Sequence, residues 1–433
     1  MKFNKKPKDN KIYKVQVNEN NVVREVRDIN EAQAVIKAAK ELDALGNTII
    51  ETRILSEEKN LLEHRKIKHI IHSGEYTVSM LYDVTKIALD MAVDFINYGV
   101  YSFDLLPHNF TLENGKWILY DFGALQTDSR QAKTQIRSTF KITFAAFELL
   151  KVIKREKLKH YFLNRIKAYE LTSMIPFWNW IKYMFRLRST QLFGAMGLYK
   201  QAYKSLRNIF IQYEKDYIPK IYEYKISNEE IALFDIIDEI VREMNVKDVF
   251  CTGELSGKWA VNSDKNLTKF VYIDEYDLCD KYYNYVKTSG ITNISTAVLY
   301  PLMQDSEISQ NLSYRALYDY FAQDRFFADT AIILNFDEIS ACKDFDLEQF
   351  CSAIFEFTDK HIIIKTGIPT NLTNVLSKIY KEVNVIQKNQ FSLIVGKNKI
   401  VTEQIVYKQE YANSNRMAFA KEHSKKILKI LGK

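Results

Sequence analysis

Three side chains with carbonyl oxygens stand at spacings suited to phosphoryl transfer: Asp104, Asn109 five positions later, and Asp121 twelve beyond that, opening Asp121-Phe122-Gly123. In such an arrangement the first carboxylate takes the proton of an attacking hydroxyl. The amide and the second carboxylate hold magnesium against phosphate oxygens. Between them, Phe110 to Tyr120 reads as two short strands around Asn114-Gly115, a hairpin signal that brings Asn109 beside Asp121. Asp104 is thus the candidate base, and Asn109 and Asp121 are the candidate metal ligands.

The elements that must carry this cluster are legible around it. Ile12, Val15 and Val17 alternate, as do Val22, Val23 and Val26 across Asn18 to Asn21, predicting a hairpin. A helix follows with Asn30 as its expected cap and Ala34, Val35, Ala38, Ala39 and Leu42 on one face. Residues 67 to 71 read as a strand. Ser79 to Tyr98 reads as a long amphipathic helix stopped by Gly99, directly before the Asp104 loop. From about 130 to 225 the chain is expected to be helical, and its segment 174–188, rich in aromatic and basic residues, suits weak contact with a membrane surface.

Composition sets the outer bounds. At 433 residues, 47% hydrophobic and 27% charged, the chain is long enough for two or three globular domains. A net charge of +7 without a clustered basic block argues against a nucleic-acid partner. Four cysteines without metal-ligand spacing, no apolar leader and no run of 18 apolar residues lead to the expectation of a cytoplasmic protein with reduced thiols.

A second site appears in the C-terminal half. After a helix predicted at Asn228 to Met244, short apolar runs recur at 249–252, 270–273, 296–299, 330–334, 361–364 and 391–395. Helical stretches between them predict a mostly parallel sheet covered on both faces. The first run enters Cys251-Thr252-Gly253-Glu254-Leu255-Ser256-Gly257. Asp274 closes the second run, 21 residues beyond Gly253. Gly253 and Gly257 suit a backbone passing close to a nucleoside, and Asp274 suits its ribose hydroxyls.

Taken together, the two halves resemble a family of bacterial proteins in which a kinase-like N-terminal part precedes a class I S-adenosylmethionine-dependent methyltransferase domain, the family that includes nodulation-related methyltransferases. The resemblance runs from about residue 11 to 400. It rests on Val22-Val23-Arg24, on the stretch Gly74 to Leu81, on Asp104, Asn109 and Asp121, on Gly253, Gly257 and Asp274, and on Asp329 to Leu334 as the central strand. It departs from the family at Cys251 and Tyr300, where acidic residues are usual, and at Asp337-Glu338, where relatives often have two histidines. No glycine-rich phosphate loop or Val-Ala-Ile-Lys strand is present; Arg24 is the candidate phosphate-facing cation, with Glu75 as its partner or a contributor to the metal site.

The resulting expectation is an α/β and α+β chain: a small kinase-like domain at 11–225, a Rossmann-like methyltransferase domain at 226–405 and a basic helical tail at 406–433. The resemblance implies S-adenosylmethionine and ATP with Mg²⁺ as cofactors and a bacterial surface saccharide or small metabolite as acceptor. The alternative is a kinase-like phosphotransferase whose C-terminal domain is a non-catalytic scaffold, a reading motivated by Cys251 and Tyr300.

Overall fold

A computed structural model describes residues 15–17, 21–26, 28–43, 49–67, 71, 76–102, 105, 107–121, 125–139, 185, 188–190, 192–215, 222–273, 275–298, 328–341, 345, 347, 350, 358–388 and 391–400. Asp104, Glu75, Asp274 and Tyr300 lie outside the described residues, as do nearly all of the 174–188 segment, the tail from 401 and most of the strand expected at 67–71.

The N-terminal part is built on a four-stranded antiparallel sheet in the order β1-β2-β4-β3, comprising β1 (Val15–Val17), β2 (Asn21–Glu25), β3 (Thr52–Ser56) and β4 (Leu61–Arg65). Helix α1 (Ile29–Asp43) buries Ala32, Val35, Ala38 and Leu42. Its cap is Asp28 and not Asn30: the Asp28 carboxylate accepts the Asn30 and Glu31 backbone N–H groups, the donors a helix start leaves unfilled. Helix α2 (Val78–Asn97) begins at Thr77, whose hydroxyl accepts the Met80 N–H, and stops before Gly99, which sits at φ 70°. β5 (Tyr101–Ser102) pairs with β8 (Leu125–Gln126) and brackets the expected catalytic loop. Within that bracket β6 (Phe110–Glu113) and β7 (Lys116–Leu119) form the predicted hairpin, its turn residues Asn114 and Gly115 both left-handed at φ 51° and 72°. Helices α3 (Arg130–Thr139) and α4 (Tyr199–Lys215) complete this part, α4 lying along α2.

Helix α5 (Asn228–Glu243) opens the C-terminal part with a full capping box between Ser227 and Glu230. Seven strands follow: β9 (Asp248–Thr252), β10 (Thr268–Ile273), β11 (Ile294–Val298), β12 (Ala328–Ile333), β13 (Thr358–Thr366), β14 (Tyr380–Gln387) and β15 (Ser392–Lys399). Their order is β11-β10-β9-β12-β13-β15-β14, with β15 antiparallel to both neighbours and the rest parallel. This is a Rossmann-like sheet. The order reverses between β9 and β12, and a crevice at such a switch point is where ligands of open α/β sheets bind. Helices α6 (Gly253–Asn262), α7 (Tyr276–Thr288), α8 (Phe336–Ser340) and α9 (Pro369–Leu376) connect the strands.

The two parts share a buried, polar seam between α2 and α7. Asp280, buried, accepts the backbone N–H and the hydroxyl of Ser79 at 2.9 and 3.0 Å. Asp83, also buried, accepts the Tyr283 hydroxyl and the Lys287 ammonium, both at 2.6 Å. The hairpin joins in: Trp117 Nε1 donates to Tyr283 at 3.2 Å, and the Ser295 hydroxyl on β11 donates to the Leu112 carbonyl.

Candidate functional site

At the base of the hairpin, the Asn109 carbonyl accepts the N–H groups of Tyr120 and Asp121 at 3.0 and 3.4 Å. The sequence separation of twelve is thereby closed to a direct backbone contact. Asn109 ends a short 3₁₀ turn (Pro107–Asn109) pinned by the buried Tyr76 hydroxyl, which lies against the Pro107 carbonyl and 2.9 Å from that of Phe110. Tyr76 in turn stacks on Trp117, ring centroids 5.6 Å apart. The 3₁₀ turn and the hairpin are therefore held by one aromatic pair.

Arg24 reaches this point from β2. Its Nη1 lies 3.1 Å from Asp121 Oδ1, so the cation expected from the sequence stands on the second expected metal ligand. Both side chains keep some solvent contact, at 17% and 37% exposure, so the pair is a weak structural tie. His64 on β4 is buried beside them. Burial lowers its pKa, the nearby Arg24 charge lowers it further, and the Arg65 carbonyl and the Asp121 carboxylate offset part of that. From the other side, Glu31 on α1 accepts the Thr127 N–H at 2.8 Å and fixes the chain leaving the Asp121 loop. Among the described residues no three His, Cys, Asp or Glu side chains form a metal cage. Asn109 and Asp121, the metal ligands expected from the sequence, are brought together here through their backbone.

The second site lies at the C-terminal ends of β9 and β12. Gly253, the first residue of α6, has φ 82°, and a Cβ there would stand 2.6 Å from the Asn335 side chain. Thr252 donates its hydroxyl to Asn335 Oδ1 at 2.6 Å, and Ser256 accepts the Leu334 N–H at 3.3 Å. The β9–α6 turn is thus stitched to the end of β12. Gly257 makes room for a different neighbour: a Cβ would meet the Tyr282 ring at 3.2 Å, and Tyr282 donates to the Gly257 carbonyl. Close packing of α6 on α7 and the sheet therefore accounts for this glycine.

Cys251 sits between Val271 and Ile332 in the sheet and is wholly buried; burial pushes its thiol pKa up, so it is a neutral thiol in the fold's interior. Asp337, in the first turn of α8, accepts the Thr366 hydroxyl at 2.6 Å and the Gly367 N–H at 2.9 Å. It ties the loop after β12 to the loop after β13.

Compared by sequence, the chain matches no protein-family model and no curated protein. Compared by structure, it is similar to a methyltransferase from Geobacter sulfurreducens, at 11% identity over 43% of this chain and 85% of that one, with a TM-score of 0.28. Magnesium protoporphyrin IX methyltransferase from Synechocystis PCC 6803, solved with bound SAM, gives 10% identity over 42% and 88% with a TM-score of 0.26. WbdD, solved with a kinase inhibitor, gives 13% identity over 42% and 46% with a TM-score of 0.30. At such scores the assignment of the fold rests on the strand order itself.

Of the residues singled out by sequence, the structure brings Arg24, Asn109 and Asp121 together and sets Gly253 at the switch point. His64, Glu31 and Asn335 were not among them. For His64 the signal was present in period two, because it shares a face of β4 with the buried Leu62. Asn335 is the first polar residue after the apolar run Ala331 to Leu334, where a strand gives way to its ligand-facing loop.

Proposed function

We propose that the chain is a transferase in which the C-terminal sheet binds S-adenosylmethionine for methyl transfer and the N-terminal cleft binds ATP with magnesium. The observation that carries the reading is the seven-stranded order with its switch point between β9 and β12, closed by a left-handed glycine opening a helix. An orphaned donor supports the cofactor: Asn335 Nδ2 is buried and has no hydrogen-bond partner, which suits an oxygen-bearing ligand in that crevice. Bound there, S-adenosylmethionine supplies an electrophilic methyl group, and the chain's task is to align an acceptor and exclude water. Asp274 follows Ile273, the last residue of β10, and is assigned to the ribose hydroxyls.

In the N-terminal cleft, Asn109 and Asp121 are assigned to magnesium, Arg24 to the phosphate oxygens, and Asp104 to the acceptor hydroxyl proton, with Glu75 as partner of Arg24 or of the metal. Arg24, paired with Asp121 in this structure, would face phosphate oxygens if Asp121 held the metal, one charge-assisted contact standing in for another. The acceptor is a saccharide or small metabolite, a reading supported by the family resemblance in the sequence.

Thermal shift tests the nucleotide half. ATP with Mg²⁺ or Mn²⁺ should raise the melting temperature more than either alone, and Asp121→Asn should remove the increment while leaving the unliganded fold intact. No metal-dependent stabilisation of the wild type by any nucleotide would refute it, and the C-terminal half would then stand alone.

A further inference from the structure

The amide of Asn335 has one end occupied and the other idle. Its Oδ1 accepts the Thr252 hydroxyl at 2.6 Å. Its Nδ2 finds no hydrogen-bond partner, although the residue is only 6% exposed. A buried donor left unmade costs free energy that a bound acceptor would recover. With the Thr252 hydroxyl donating to Oδ1, the group offered is N–H, so its ligand is an oxygen with a lone pair and not an amine.

Three features say which oxygen. Nδ2 stands 2.8 Å from where a Cβ of Gly253 would be, at the first residue of α6, a ten-residue helix whose N-cap Thr252 makes no side-chain capping bond. The only carboxylate in the first turn, Glu254, is engaged elsewhere, by the Tyr222 hydroxyl and Lys258. A side-chain amide beside a helix start with this positive field fits a negatively charged oxygen. Sheet order then gives the direction: Asp274 follows β10, Gly253 follows β9 and Asn335 follows β12, in adjacent positions β10-β9-β12. Two strand spacings separate the ends of β10 and β12, about 10 Å. A nucleoside held by its ribose at β10 therefore extends its other end over Gly253 toward Asn335.

We propose that Asn335 is a cofactor-positioning residue that donates Nδ2–H to the amino-acid carboxylate of S-adenosylmethionine, with Thr252 holding the amide in the donating orientation. The inference rests on the cofactor reading above and adds to it the residue, the atom and the end of the ligand it recognises. Asn335 holds the carboxylate end and takes no part in the bond changes of methyl transfer.

The test compares two ligands of the full chain by calorimetry: S-adenosylhomocysteine, which has the carboxylate, and 5′-methylthioadenosine, which has the same nucleoside and lacks the amino acid. Asn335→Asp keeps the shape and turns the donor into an anion. It should weaken S-adenosylhomocysteine at least tenfold and change 5′-methylthioadenosine less than twofold. Asn335→Ala should show the same selectivity with a smaller loss, and Thr252→Val should share it in part, since the amide is then free to turn. Retained 5′-methylthioadenosine binding reports that each variant still folds. Equal losses for both ligands, or unchanged affinity for both, would overturn the role of Asn335 while leaving the cofactor reading standing. If the wild type binds neither ligand, the cofactor reading falls and takes this inference with it.

Discussion

Asp121 is paired with Arg24 in the free protein, and under the proposed function it is the side chain that magnesium would claim. Arg24→Met should therefore weaken nucleotide binding about tenfold, as the loss of one charge-assisted contact. Its effect on the unliganded fold should stay below about 1 kcal/mol, because the pair is partly solvated. Calorimetry and urea melts on the same variant separate the two effects. His64 makes a second prediction. Its folded pKa lies below the unfolded value, so the native state holds fewer protons and stability rises with pH between the two. The contribution is complete above about pH 6.5 and is lost as pH falls through the folded pKa. Melting temperature should drop from pH 7.5 to 5.5, and His64→Gln should reduce the drop. His361, lowered by burial and Lys360, keeps some of the slope in that variant. At this scale the sequence revealed residues whose placement is local and patterned, Asn109 and Asp121 across the hairpin and Gly253 at the β9–α6 turn. It hid Asn335, which Thr252 reaches across 83 positions.

Elements place these side chains, and their legibility followed their burial. The strands β9, β10, β11, β12, β13 and β15 announced themselves as apolar runs because both faces of a central parallel sheet are covered. β14 did not: it is the sheet's edge, exposed along most of its length, and reads Tyr-Lys-Glu-Val-Asn-Val-Ile-Gln. β3 and β4 escaped for the same reason, with Arg53, Glu63 and Arg65 among few buried side chains. The β6–β7 hairpin was readable from Asn-Gly alone, since those two residues accept the left-handed angles the turn requires. The β9–α6 turn makes the sharpest demand on one residue. Gly253→Ala meets both a φ of 82° and a 2.6 Å clash with Asn335, and should cost about 1–3 kcal/mol in urea denaturation. Gly257→Ala, at ordinary φ and 3.2 Å from a ring edge, should cost less. Equal costs would mean that the Thr252–Asn335 stitch does not constrain the turn.

Across the whole molecule, the seam between α2 and α7 joins the helix that precedes β5 to the helix that follows β10. Asp280 and Asp83 are buried acceptors with charge or hydrogen-bond partners from the other side of the seam. Nothing in the sequence pointed to this pairing, since the partners lie about 200 positions apart. Asp280→Ala leaves the Ser79 N–H and hydroxyl without their acceptor and should destabilise by about 2–4 kcal/mol. Because the seam makes the halves one cooperative unit, a ligand for either half should raise a single unfolding transition; two separate transitions in calorimetry would contradict it. Titrating S-adenosylhomocysteine and then ATP with Mg²⁺ into one sample of the intact protein decides whether one chain holds both a cofactor crevice and a magnesium-nucleotide cleft. Two successive one-to-one isotherms are expected, the second absent in Asp121→Asn and the first unaffected by it. No heat from S-adenosylhomocysteine at millimolar concentration would contradict the account.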